Sequence, residues 1–195
     1  VAIAYRDGGN SDYGTAIVGT VSGTSISFGT ATVFESANAL EIGGAFDSSN
    51  NKVVFAYKDA GNSNYGTAVV GTISGTSISF GTPVVFSGTD AVSAVIGAVF
   101  DSNANKIVFA YNNATDTSTD AVVGTVSGTS ISYGTPAVFN SANTYEDHSI
   151  DHDSNAGKHV IVWSLQSGLT NKYAIGTVSG TSLSAEIKTV SGTSL

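Results

Sequence analysis

Gly19-Thr20-Val21-Ser22-Gly23-Thr24-Ser25 decides the fold of this chain, because the stretch recurs almost unchanged three more times. The other copies stand at Gly71–Ser77, Gly124–Ser130 and Gly176–Ser182. A sequence period of about 50 residues indicates that one supersecondary unit is repeated. The chain therefore divides into a single repeat domain of four copies, at approximately residues 1–52, 53–106, 107–158 and 159–195.

Each copy also contains an alternating apolar stretch that ends in an aromatic residue. Alternation with period two predicts a β-strand. The Ser-Gly pair inside the repeated stretch predicts a tight hairpin, because glycine readily adopts positive φ. A further strand ends at a Phe-Asp pair, so each copy holds four short strands and the chain is predicted to be all-β. The aligned aromatic residues are Tyr5, Tyr57, Tyr111 and Trp163.

Four short antiparallel strands per repeat predict a β-propeller of about four four-stranded blades. The strand that ends at Phe46-Asp47 fits the innermost position, since Gly43 and Gly44 suit a crowded axis. The chain would then begin at the second strand of a blade, and Ile187–Val190 could supply the missing inner strand and close the ring. The alternative is an open arc or a β-solenoid array.

Composition narrows the possible partners. The chain has 7 basic and 15 acidic residues and a net charge of −8, which argues against nucleic acid and against an anionic membrane surface. Cysteine is absent, which excludes disulfides, zinc–thiolate sites and thiol nucleophiles. No apolar run reaches the ~18 residues of a transmembrane helix, so membrane insertion is not expected. The chain opens at Val1 in mid-repeat, which predicts a part of a larger protein or assembly.

Two motifs resemble known repeat proteins. Phe-Asp-Ser-x-x-Asn-Lys, at residues 46–52 and 100–106, resembles the inner-strand turn of WD40- and TolB-like propellers. The run Gly-Thr-Val-Ser-Gly-Thr-Ser-Ile-Ser-Phe-Gly-Thr, at residues 19–30, resembles tandem repeats of marine bacterial surface proteins and of tail-fibre-like phage proteins. This second resemblance covers nearly the whole chain. It implies an extracellular, cell-surface or virion location and an adhesive or spacer role.

The loops that follow the first two aromatic strands are candidate glycan sites. Carboxylates and amides can bind vicinal sugar hydroxyls, and an aromatic face can pack on the pyranose C–H groups. Asp-rich loops can equally hold Ca²⁺, and the same residue types also simply build turns. The candidates are Asp7, Asn10, Asp12 and Tyr13 in the first copy, and Asp59, Asn62, Asn64 and Tyr65 in the second.

The last copy departs most sharply from the repeat at Glu146–Asp153, where two histidines replace apolar residues. Residues two and four apart on a strand share a face, so Glu146, His148 and His152 are predicted to point the same way. Imidazole and carboxylate groups on one inner strand predict a site for a divalent metal. The alternative is a polar strand that hydrogen-bonds to water or to its neighbours.

Catalysis is not expected from these residues. The sequence has no Gly-x-Ser-x-Gly elbow, and paired carboxylates such as Asp7 and Asp12 fit a loop as well as an acid/base pair. We therefore expect a non-catalytic, lectin-like module that binds surface glycans, with repeated weak sites gaining from multivalency. The alternative is a purely structural spacer in a larger fibre or surface protein, and a hydrolase has less support. No cofactor is required, although Ca²⁺ or another divalent metal is a candidate.

Overall fold

A computed structural model describes residues 1–88, 96–115, 118–140, 144–165 and 171–190. All regular structure in these ranges is β-strand, which confirms the all-β prediction. A search of the described residues for helical membrane spans finds none.

The sheets divide the chain a little earlier than the sequence repeat does, because the strand that precedes each alternating apolar stretch pairs with it. The copies are therefore numbered by sheet from here on. The first copy contains β1 (Ala2–Asp7), β2 (Tyr13–Ser22) and β3 (Ser25–Phe28), and β4 (Thr32–Asp47) runs on from it into the second copy. The second copy continues with β5 (Lys52–Asp59), β6 (Tyr65–Ser74), β7 (Ser77–Phe80) and β8 (Val84–Ser87). The third contains β9 (Gly97–Asp101), β10 (Lys106–Asn113), β11 (Ser118–Ser127), β12 (Ser130–Tyr133) and β13 (Ala137–Asn140). The fourth contains β14 (Thr144–Asp153), β15 (Lys158–Leu165), β16 (Asn171–Ser179) and β17 (Ser182–Thr189). Counted in this way, the second copy begins within β4, the third at β9 and the fourth at β14.

Neighbouring strands pair antiparallel within each copy. The third copy forms a sheet of order β12-β11-β10-β9, with β13 on the other half of β11, and the fourth forms β14-β15-β16-β17. The first two copies share one eight-stranded sheet, because β4 pairs with β2 and then with β5. A bulge marks this passage: the register shifts between Leu40 and Gly43, and Glu41 has a left-handed φ of 52°.

The predicted Ser-Gly hairpins are present in all four copies. Gly23, Gly75, Gly128 and Gly180 have φ values of 59°, 59°, 60° and 62°. This backbone conformation is strained for residues that carry a Cβ, and it lets a two-residue turn match the twist of the flanking strands.

Three apolar cores lie between successive copies. Residues of β5 enter two of them alternately: Val53 and Phe55 pack in the core toward the first copy, and Val54 and Ala56 in the core toward the third. A strand covered on both faces is apolar throughout its length, which explains the unbroken run of buried residues in β5. The aligned aromatics Tyr57, Tyr111 and Trp163 are all buried in these cores.

The copies approach each other closely at the glycine that follows the second strand of each of the first three Ser-Gly hairpins, namely β3, β7 and β12. A Cβ on Gly81 would lie 1.9 Å from the carbonyl oxygen of Thr129. The equivalent distances are 2.0 Å for Gly29 and Thr76, and 1.8 Å for Gly134 and Thr181. Because the obstacle is backbone, only glycine fits at these three Gly–Thr contacts.

Closure of a ring by Ile187–Val190 is wrong. Ile187 pairs with Ala174 inside the fourth sheet, and the N–H of Val190 donates to the carbonyl of Asn171. The physical reason is that β17 is continuous and follows β16 along its whole length, whereas β7 and β8 share the equivalent edge of β6.

Among the described strands β1 pairs with β2 alone, and a groove of about 610 Å³ lies between Val1–Ala4 and Ile42–Phe46.

Candidate functional site

Two histidines face each other close to the turn of the β14–β15 hairpin. His152 of β14 and His159 of β15 are directly opposite partners, and their ring centroids are 4.8 Å apart. The tight turn between the strands includes Gly157, with a φ of 60°, and the Oδ1 of Asp153 accepts the N–H groups of Asn155 and Ala156. The hairpin therefore fixes both imidazoles side by side.

Asp101, at the end of β9 in the third copy, completes this cluster. Its Oδ1 lies 3.3 Å from Nε2 of His152, and its Oδ2 lies 3.6 Å from Nε2 of His159. The three side chains are 3%, 4% and 0% exposed, respectively. The cluster is thus a nearly dry polar site at the boundary between the third and fourth copies.

The turn after β9 holds Asp101 in place. Its Oδ1 accepts the backbone N–H groups of Asn103 at 2.9 Å and Ala104 at 2.8 Å. The equivalent Asp47 carries more hydrogen bonds, because Asn50 also donates from Nδ2 to its second carboxylate oxygen at 2.8 Å. Ala104 stands where the second copy has Asn50, so it offers no such side-chain donor and Oδ2 of Asp101 faces His159.

Burial controls the charge on His159. Desolvation lowers its pKa to about 4, although the Asp101 carboxylate acts in the opposite direction, and nearby His152 lowers it further. The imidazole is therefore neutral near pH 7. Neither ring nitrogen of His159, nor Nε2 of His152, has a hydrogen-bond partner within the described part of the chain.

The cluster offers a donor set suited to transition metals. The candidate ligand atoms of Asp101, His152 and His159 all lie within 4.8 Å of one another. Neutral imidazole nitrogen and carboxylate oxygen are ligands of Zn²⁺ and of other first-row divalent cations. Ca²⁺ prefers oxygen ligands alone, so two imidazoles disfavour it.

The predicted metal set of Glu146, His148 and His152 needs correction. The side chains of His148 and His152 do share the face toward the third copy, because Nε2 of His148 lies 2.8 Å from the carbonyl oxygen of Ala110 and His152 meets Asp101. However, four residues along a strand span about 13 Å, so these two imidazoles cannot bind one ion. The side chain of Glu146 lies outside the described residues.

Sequence reasoning missed Asp101 and His159. His159 carried a usable signal, because the aligned residues of the earlier copies are Val53 and Ile107. Asp101 carried none, since the aligned Asp47 and Asp153 make it look like a repeated turn residue. Its second role arises only from the packing of the third copy against the fourth.

The two candidate glycan loops have the same backbone conformation. Asp7 and Asp59 each accept a backbone N–H two residues on, from Gly9 at 3.1 Å and Gly61 at 2.9 Å. In both loops two consecutive residues then adopt left-handed φ, with values of 55° and 62° at Ser11 and Asp12 and of 56° and 60° at Ser63 and Asn64. These carboxylates build the turns.

Other side chains of these loops remain at the surface. Asn10 and Asn62 are exposed, whereas Tyr13 and Tyr65 are half-buried at the start of the next strand. Asp12 pairs with Arg6, whose Nε lies 3.2 Å from its Oδ1. Because this carboxylate already has a cation beside it, the first loop is a poor Ca²⁺ site.

In the third copy, the strand ends that flank the β10–β11 loop carry a buried polar cluster. Asp120 accepts hydrogen bonds from Ser118 Oγ at 2.7 Å and from Asn113 Nδ2 at 3.2 Å, and all three side chains are buried. The loop of the third copy therefore does not repeat the exposed amide of the first two. Residues 166–170 of the fourth copy lie outside the described ranges.

No family model, curated protein or solved structure matches this chain.

Proposed function

We propose that this chain is a non-catalytic repeat module of an extracellular or virion surface, and that it binds surface glycans through the β1–β2 and β5–β6 loops. One observation carries the proposal: two loops of one chain share a backbone conformation and expose the same amide, at Asn10 and Asn62. Two equal polar surfaces on a rigid scaffold are suited to weak, multivalent binding of a repeated ligand.

The scaffold proposed for these loops is a propeller-like arc of blades that does not close on itself. Sheets packed face to face, with an apolar core between each pair of copies, support the blade arrangement. The pairing of β17 within its own sheet supports the open arc. Small-angle X-ray scattering tests this: we expect a longer particle than a closed ring of the same mass, and a compact monomer would contradict the open arc.

A purely structural spacer is the second candidate. The three equivalent Gly–Thr contacts favour it, because they stack the copies regularly whatever the loops do. The use of Asp7 and Asp59 within their own turns favours it as well, since these carboxylates are not free to bind a ligand.

A glycan array probed with the whole chain separates the two candidates. We expect binding to a subset of glycans, and the double substitution Asn10→Ala with Asn62→Ala should weaken it about 10-fold or more, because both members of a bivalent pair are altered. Ser48→Ala with Ser102→Ala is the matched control, since these exposed residues lie in turns at the other end of the strands. Silence across the whole array would contradict glycan binding and support the spacer.

A further inference from the structure

We propose that Asp101, His152 and His159 bind one divalent transition-metal cation of the Zn²⁺ class, which ties the third copy to the fourth. This site differs from the loops proposed for glycans and does not depend on them. The site uses Asp101 at the end of β9 in the third copy, together with one histidine from each strand of the β14–β15 hairpin in the fourth copy.

The spacing of the three side chains suits a single ion. Metal–ligand bonds of about 2.1 Å in a tetrahedral arrangement place neighbouring ligand atoms about 3.4 Å apart. The two carboxylate oxygens of Asp101 lie 3.3 Å and 3.6 Å from the imidazole nitrogens that face them. Small rotations of the side chains would bring all three donors to bonding distance.

Hydrogen bonding within the cluster does not account for these groups. The two nitrogen–oxygen distances exceed the usual N–H···O range of about 2.7–3.2 Å, and the nitrogens concerned have no hydrogen-bond partner in the described ranges. A buried polar atom without a partner is unfavourable. A cation at the centre would satisfy one nitrogen of each imidazole and would balance the buried carboxylate.

The fold itself does not require histidine at these positions. The same opposed pair is Phe46 and Val53 in the second copy, and Phe100 and Ile107 in the third. Since the hairpin forms with apolar pairs, the two imidazoles are an addition to the scaffold. In the same boundary Ala104 leaves one oxygen of Asp101 without the side-chain donor that Asn50 provides to Asp47.

The test is metal binding to the whole chain, purified without a histidine tag and stripped of metal by a chelator. Titration with Zn²⁺, followed by calorimetry and by metal analysis after dialysis, should give one equivalent per chain and a higher midpoint of thermal unfolding. Titration with Co²⁺ should give the visible absorption of a four-coordinate site with nitrogen and oxygen ligands. Wild-type protein that is folded but binds neither ion after dialysis would overturn the proposal.

Substitutions taken from the chain's own repeat provide the controls. The double substitution His152→Phe with His159→Ile restores the apolar pair of the third copy, so it should fold and should lose more than about 100-fold in Zn²⁺ affinity. Asp101→Asn keeps an oxygen for the turn and should also weaken binding. His148→Ile restores the residue of the earlier copies outside the cluster and should bind Zn²⁺ like wild type. Equal Zn²⁺ affinity of wild type and the folded double variant would overturn the assignment.

Discussion

The boundary between the second and third copies and the boundary between the third and fourth share one backbone arrangement but differ in chemistry. Both have the Gly–Thr contact, at Gly81 and Gly134. In the first hairpin of each sheet, however, the third copy presents the apolar pair Phe100 and Ile107, whereas the fourth presents two histidines. Close backbone packing and strand register therefore hold the stack, and the side chains of the first hairpin are able to change.

The hydrogen bonding of the aspartate that ends the preceding strand differs as well. In the second copy, burial acts to raise the pKa of Asp47, but hydrogen bonds from Ser49 and Asn50 outweigh this and hold the pKa below its usual value. In the third copy, Ala104 replaces Asn50, and the two oxygens of Asp101 face one imidazole each, Oδ1 toward His152 and Oδ2 toward His159. The polar cluster therefore combines two imidazoles gained with two side-chain donors lost, since Asn103 and Ala104 stand where Ser49 Oγ and Asn50 Nδ2 donate to Asp47.

The largest effect is expected from breaking what the two boundaries share. In Gly81→Ala the new Cβ would meet the carbonyl oxygen of Thr129 at 1.9 Å, and the backbone can relieve this overlap only if the two copies move apart. We expect a loss of about 3 kcal/mol in the free energy of unfolding, measured by denaturant titration.

Gly8→Ala is the matched control for this substitution. Gly8 lies in an exposed loop, and the nearest atom to its Cβ would be Oδ1 of Asp12 at 3.8 Å. The expected change is within about 0.5 kcal/mol. Equal losses in the two variants would show that the Gly–Thr contact has no special weight.

Ile107→His would introduce an imidazole at the boundary between the second and third copies, where the side chains are apolar. Ile107→His places an imidazole at a fully buried position opposite Phe100, with no second histidine beside it. We expect a loss of about 2 kcal/mol in unfolding free energy, because an apolar side chain is lost from the core and a polar ring is buried in its place. Added Zn²⁺ should not recover this loss.

His159→Ile is the reverse substitution, made at the boundary between the third and fourth copies. In metal-free protein it removes a buried ring whose two nitrogens have no hydrogen-bond partner in the described ranges, so stability should be unchanged or higher. In the presence of Zn²⁺ the order should invert, because wild type alone gains binding energy. A variant less stable than wild type without metal would show that the histidine pair supports the fold by itself.

The local parts of the fold were predictable from the sequence, and the long-range partners were not. Period-two alternation and the Ser-Gly turns depend on neighbouring residues, so the all-β class and the four hairpins are as predicted. The prediction of four short strands per copy is wrong in detail, because β4 runs for 16 residues and the third copy has five strands, β9 to β13. The apolar run at Ile187–Val190 could pair with any free strand edge, and only the assembled sheet shows that it pairs with β16. The number of blades remains a prediction, whereas closure of a ring by this segment is excluded by its pairing with β16.

The candidate metal site divides in the same way. His152 was found because it departs from the repeat, and His159 departs at the residue opposite to it. Asp101 was hidden because it does not depart: the same aspartate builds the turn in the second, third and fourth copies. A repeated residue can gain a further role when the neighbouring copy changes, and a single sequence does not reveal such contacts.

The smallest effect is expected at the turns that distinguish Asp47 from Asp101. Asn50→Ala removes the Nδ2–Oδ2 hydrogen bond of 2.8 Å and should cost about 1 kcal/mol at neutral pH. A carboxyl whose native-state pKa is lowered stabilises the fold above its unfolded pKa, and this stabilisation is lost as the pH falls through the native-state value. The difference between wild type and Asn50→Ala should therefore shrink at strongly acidic pH, as measured by denaturant titration.

Ala104→Asn is the counterpart in the third copy. Its amide would compete for Oδ2 of Asp101, so this substitution should lower Zn²⁺ affinity. Unchanged affinity would show that the missing donor plays no part in the site.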